Sequence, residues 1–118
     1  MVQVNEVLNK LFEMRDNTHI AHLQTKSYAE HKALNKFYDS IVDLADDFAE
    51  QYQGATSEII TRVGNISIKE GVMIVPYLKD CLSYFNQLHS QCDIISLRVV
   101  IESILLTITK TLYLLNLK

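Results

Sequence analysis

The chain has 118 residues, is 48% hydrophobic and carries a formal net charge of −3. That size suits one domain spanning 1–118 with a sizeable core. With no basic tail or Lys/Arg cluster to neutralise phosphates, it gives nucleic-acid binding little electrostatic support. Cys81 and Cys92 form no CxxC and suit reduced thiols better than a disulfide framework. The N-terminus, amphipathic and acidic-polar, does not read as a signal peptide. The most apolar stretch, 94–117, is interrupted by Arg98, Glu102 and Lys110 and is too charged to span a bilayer. The expectation is a cytoplasmic protein with no membrane association, and the sequon Asn65-Ile66-Ser67 has no secretory context.

Residues 3–25 form the first periodic segment. Val4, Val7, Leu8, Leu11, Met14, Thr18 and His22 recur at i, i+3, i+4 and i+7, the pattern of an amphipathic helix, with Gln3 or Asn5 to cap its start. Thr25-Lys26-Ser27 breaks the periodicity. Ser27 followed by Glu30 reads as a capping box opening a second helix over 28–53, which Gly54 is expected to stop. So short a turn makes the two helices antiparallel neighbours. Leu34, Phe37, Tyr38, Ile41, Leu44, Ala45, Phe48 and Tyr52 fall on one face of the second helix and must bury.

Farther along, Ala55 to Val63 reads as a short helix ended by Gly64-Asn65. Pro76 fits the first turn of a third helix, where its missing N–H costs nothing, and Tyr77, Leu78, Cys81, Leu82, Phe85 and Leu88 give that helix a buried side. A fourth helix over 94–116, capped by Ser90 or Asp93, is apolar almost all round. One small bundle cannot cover such a helix, so part of it is expected to meet another subunit, as a homo-oligomer. Met14 and Met73 read as core residues. No internal repeat, phosphate loop, GxSxG or zinc spacing occurs.

Opposite the apolar face of the second helix lie His31, Asn35, Asp39, Asp43, Asp46 and Glu50. A solvated outer face is the ordinary reading of such a stripe. Solvated faces, however, usually mix signs to gain i,i+4 pairs, and this one is acidic. Like charges at helical spacing cost stability, and a cation or a basic protein surface would relieve that cost. His22, on or beside the apolar stripe of the first helix, reads ordinarily as a core-edge residue hydrogen-bonded to a neighbour, while His19 and His22 at i,i+3 can also present two imidazoles to a metal.

The runs His22-Leu23-Gln24, Tyr28-Ala29-Glu30-His31, Tyr38-Asp39 and Asp46-Asp47-Phe48-Ala49-Glu50, set in this helix order, resemble the ferritin-like superfamily. The similarity is to the Dps-type mini-ferritins and to small phage-encoded proteins of that character. The resemblance implies an all-α, ferritin-like antiparallel four-helix bundle with a short helix in the connection between the second and third helices. It carries His22 onto the first-helix metal ligand, His31 onto the second-helix histidine, and Asp46 and Glu50 onto an Asp-x-x-x-Glu pair. In that family the site is shared across a two-fold subunit interface and oxidises ferrous iron, and imidazole and carboxylate ligands also suit zinc or manganese. Asn35, where the family has an acid, and Leu23, where it has Trp, depart from the pattern.

Two functions are therefore expected of the sequence. One is a Dps-like metal-binding protein with ferroxidase-like chemistry, assembled as a dimer or cage. The other is a non-enzymatic helical interaction or scaffold protein whose acidic face meets a protein partner.

Overall fold

The computed structural model describes residues 3–60, 64, 66–68 and 71–117. Among them it has four helices and no strand: α1 (Val4–Gln24), α2 (Tyr28–Thr56), α3 (Ile74–Gln91) and α4 (Ile95–Leu115). The all-α reading and the four periodic segments hold.

The helix ends show which local signals prevailed. Ser27 is extended, and its Oγ accepts the Glu30 N–H at 3.2 Å, which is one half of the expected capping box. The Ser27 N–H donates to Thr25 Oγ1 instead. Gly54 does not stop α2. The helix runs on to Thr56 and ends at Ser57, whose φ of 60° is left-handed and whose N–H donates to the Gln53 carbonyl. Side chains fix that exit. Gln53 Oε1 accepts the Ile60 N–H at 2.8 Å, and the Tyr52 hydroxyl donates to Glu58 at 2.9 Å.

The short helix expected over 55–63 is not found where it can be followed. Ala55 and Thr56 belong to the last turn of α2 and 57–60 are non-helical, while 61–63 and Asn65 lie outside the described residues. Pro76 sits in the first turn of α3 as expected. Met73, expected in the core, caps that helix and is exposed, because the chain enters α3 from the outside. α4 starts after Ile94 with no side-chain cap, so neither Ser90 nor Asp93 serves.

Neighbour relations follow from a few contacts. The three-residue turn 25–27 makes α1 and α2 antiparallel. Asn17 Nδ2 donates to the Tyr77 hydroxyl at 3.1 Å, while Lys10 lies 5.5 Å from the Tyr84 ring, so α3 also runs antiparallel to α1. The short 92–94 link folds α4 back along α3, where His89 meets Glu102 at 2.8 Å. The helices therefore pack in the order α1, α2, α4, α3 around the bundle, each antiparallel to both neighbours. This arrangement requires one long crossover connection. The 57–73 connection supplies it, and among its described residues the Ser67 N–H donates to Glu13 Oε1 of α1 at 3.0 Å. Leu11, Phe37, Phe48, Phe85, Ile104 and Ile108 meet at the centre with no exposed surface beyond 1%. Cys81 and Cys92 are free thiols within the same core. No helix among the described residues is long and apolar enough to cross a membrane.

Burial pushes the Cys81 thiol up from 9.0 and the Tyr77 phenol up from 10.0, with the Asn17 bond opposing the latter. Above these values the unfolded chain has lost protons that the folded chain retains, so stability must fall as pH rises. Thermal melts from pH about 8 to about 11 should show a declining Tm, and Tyr77→Phe should flatten the part above pH about 10. A Tm that rises or stays level through this range would contradict the burial of both groups.

Candidate functional site

The four residues singled out for metal divide into two pairs. His22 ends α1 on its buried face and is 7% exposed, and His31 opens α2 directly across the turn. The last carbonyls of a helix have no intrahelical partners, and here a histidine supplies one. His31 Nδ1 lies 2.8 Å from the His22 carbonyl, and His22 Nδ1 lies 2.8 Å from the His31 carbonyl. A carbonyl oxygen only accepts, so Nδ1 bears the hydrogen on both rings. The rings stack with centroids 3.6 Å apart and planes 22° from parallel. Together they form a reciprocal clasp across the hairpin. Around it His19 stacks on Tyr38 at 4.2 Å, and Tyr38 turns an edge to His22 and donates its hydroxyl to Asn35 Oδ1 at 2.7 Å.

Asp46 and Glu50 are exposed on the outer side of α2. At 1.5 Å per residue they stand about 22 Å and about 28 Å along the helix from His31. One chain therefore brings the two histidines together and keeps the two carboxylates apart from them. The stacked rings add a second constraint. Ring-nitrogen lone pairs lie in the ring planes, and two near-parallel planes 3.6 Å apart do not converge on one ion at ordinary metal–nitrogen distances of about 2 Å. Among the described residues no group of three or more His, Cys, Asp or Glu has metal-holding geometry. Within one chain, the residues carried over from the mini-ferritin pattern do not form a donor set for iron, zinc or manganese.

Sequence reasoning missed the clasp. The available signal was a histidine on the buried stripe of α1, in its last turn, facing another in the first turn of α2 across three residues.

Two other surfaces stand out. Asp39, Asp43, Asp46, Asp47 and Glu50 are all exposed on α2, and none takes part in an ion pair among the described residues. On α4, Ile95, Val99, Leu106 and Tyr113 are between 56% and 79% exposed, although the opposite side of the helix is fully buried.

The bundle, its crossover and these surfaces define a small all-α protein. The chain belongs to a family of unknown function, DUF5856, whose model matches residues 22–115. The matched region begins at the clasp histidine and takes in α2, α3 and α4. This finding overturns the kinship with ferritin-like and Dps-type proteins that the motifs of 19–53 suggested. The chain is also similar to an uncharacterized 14.6 kDa protein of the mobD-ri intergenic region of Enterobacteria phage T4, with 42% identity over 52 residues. That alignment covers 44% of this chain and 41% of the phage protein, so the chain spans well under half of that relative's length. No solved structure matches the chain. The mini-ferritin resemblance failed for a physical reason: short His and Asp-x-x-x-Glu spacings recur on any amphipathic helix pair, and here they serve a hairpin clasp and an outer face.

Proposed function

We propose that this protein is a non-enzymatic helical-bundle interaction module that receives a cationic protein surface on the acidic face of α2. The observation that carries the reading is the set of five exposed, unpaired carboxylates from Asp39 to Glu50 on one rigid helix. Asp39 with Asp43, Asp43 with Asp47, and Asp46 with Glu50 are i,i+4 like-charge pairs, each costing a few tenths of a kcal/mol. A basic partner removes that repulsion on binding and gains steered association. The buried face of the same helix holds the carboxylates on a packed scaffold, so little side-chain or backbone ordering is required of this protein.

The test is calorimetric titration of a lysine-rich peptide into the parent and into an Asp39→Asn/Asp43→Asn/Asp46→Asn/Glu50→Gln variant. The parent should bind, more weakly as salt rises, and the variant at least about tenfold more weakly. A control that neutralises Glu6 and Glu13 instead should bind like the parent. Equal binding by all three proteins, or none by the parent at low salt, would sink the acidic-face assignment. The four neutralisations should also raise the unfolding free energy, by roughly 0.5–1 kcal/mol, because the like-charge pairs disappear.

A second reading retains a metal, held between copies rather than within one. It rests on the Nδ1–H bonds to carbonyls at His22 and His31, the orientation that second-shell partners impose on ligating histidines, which leaves Nε2 as the donor atom. Titration with ferrous iron, zinc and manganese in place of the peptide separates the two readings. Tight uptake abolished by Glu50→Gln would favour the metal, and no uptake would leave the protein partner.

A further inference from the structure

We propose that the groove between the first half of α2 and the second half of α4 binds a small anionic amphiphile, its acidic head held between Lys36 and Lys110 and its apolar body lying toward Leu117. The two helices run antiparallel there. Ala33, Phe37 and Ser40, at i, i+4 and i+7 of α2, face Thr107, Thr111 and Leu114, at i, i+4 and i+7 of α4. Four of these six side chains are short, so the groove is left unfilled. Two adjoining cavities result. One, of about 190 Å³, is floored by Phe37 and Thr111 and flanked by Lys36 and Lys110. The other, of about 410 Å³, is floored by Ala29, Ala33, Leu114 and Leu117 and edged by Lys32 and Lys36. They share Ala33, Lys36 and Leu114, and together they reach the roughly 300–1,000 Å³ usual for small-molecule sites.

Charge identifies the head group. Lys36 and Lys110 are exposed, come from opposite walls of the groove, and take part in no ion pair among the described residues. Among those residues no carboxylate lines either cavity. Asp39, three residues after Lys36, lies about 60° round α2 on the side away from the groove. Glu102, the single acid of α4, stands about 12 Å along the helix from Lys110 and is held by His89 on the α3 side. On a chain of net charge −3 the groove is thus a local excess of positive charge. A carboxylate or phosphate between the two ammonium groups makes charge-assisted hydrogen bonds to both. The acidic stripe on the outer side of α2 is a separate surface.

The hydroxyls complete the head site. Ser40, Thr107 and Thr111 donate to the carbonyls of Lys36, Ser103 and Thr107, one turn back in their own helices, at 3.0, 2.8 and 2.9 Å. Those carbonyls also have helical N–H partners, so each hydroxyl can turn its hydrogen to a ligand oxygen without stranding a buried acceptor. The larger cavity offers no comparable group. Of the polar residues at its edge, Lys32 sits with its Nζ 5.5 Å from the centre of the Tyr28 ring, and Asn35 Oδ1 accepts the Tyr38 hydroxyl at 2.7 Å. Its floor is aliphatic, and the alkyl stems of the lysines extend it. A bare anion would leave that floor wet. An apolar body attached to the anion covers it, at a gain of roughly 25 cal/mol per Å² of apolar surface removed from water.

The experiment is calorimetric titration of the full chain with decanoate and with decyl phosphate, both kept below micelle formation. The parent should bind one molecule per chain, more weakly as salt rises. Lys36→Gln/Lys110→Gln should bind at least about tenfold more weakly. Its helical circular dichroism should be unchanged, because both lysines are exposed. Lys26→Gln/Lys79→Gln removes the same charge elsewhere and should bind like the parent. The variant with four neutralised acidic-face carboxylates should bind at least as tightly as the parent. Decanol and inorganic phosphate, each carrying one half of the ligand's chemistry, should bind at least about tenfold more weakly than decyl phosphate. The tighter of decanoate and decyl phosphate identifies the head as carboxylate or phosphate. Equal binding by the Lys36/Lys110 variant, or decanol or inorganic phosphate matching decyl phosphate, would overturn the proposal. So would a parent that binds neither amphiphile, and an oligoglutamate peptide held by the two lysines in that case would give the groove to an acidic protein segment.

Discussion

Phe48→Ala is expected to lower the unfolding free energy by about 3–5 kcal/mol, the range for emptying a large aromatic site in a packed core. Phe48 has no exposed surface and lies on the apolar face of α2, the helix that touches both α1 and α4. Its ring therefore sits where two helix pairs meet, and the walls cannot close around the void without shifting one pair against the other. A domain of this size has a total stability of about 5–15 kcal/mol, so the substitution removes a large fraction of it. Urea titration followed by circular dichroism measures the change. A loss under about 1 kcal/mol would mean that α2 presents a different face to the core, and the assignment of the acidic stripe to the outside would fail with it. Comparison with Leu106→Ala sharpens the result. That change, at a residue 70% exposed, should alter stability by no more than about 0.5 kcal/mol.

The long elements were legible because burial imposes a period. Val7, Leu8, Leu11, Met14 and His22 on α1, and Leu34, Phe37, Ile41, Ala45 and Phe48 on α2, are all buried as their spacing predicts. The outward position of Asp39, Asp43, Asp46 and Glu50 follows from the same arithmetic. Helix ends were less legible, because they depend on side chains that meet only after folding. Gly54 looked like the stop of α2, yet Ser57 takes the left-handed residue, supported by bonds from Gln53 and Tyr52 into the exit segment. α4 begins without any capping side chain, so no residue type marks its start. The exposed line on α4 was anticipated only as an excess of apolar residues. Which residues form that line becomes visible once α2 and α3 define the side of α4 that is left open. The histidines failed differently. Residue type and spacing pointed to a metal, but a three-residue turn set the two rings in register with each other's backbone.

His22→Ala is therefore expected to destabilise the protein by about 2–3 kcal/mol. The lost bond to the His31 carbonyl accounts for about 1 kcal/mol. The stacked contact with the His31 ring, at 3.6 Å, adds about 0.5–1.5 kcal/mol. The remainder is the space left by a ring that is 7% exposed. His22→Phe should recover the packing but not the bond, and so fall between parent and alanine. A residue kept as a metal ligand behaves otherwise. In chelator, its removal leaves stability almost unchanged, because nothing occupies the site whose loss could be felt. Unfolding titrations of the three proteins in chelator thus separate the roles without any ligand in hand. The order parent, phenylalanine, alanine places His22 in the hairpin clasp. Equal stability of all three would return it to the pool of candidate ligands and remove the physical basis on which one chain's histidines were assigned to structure.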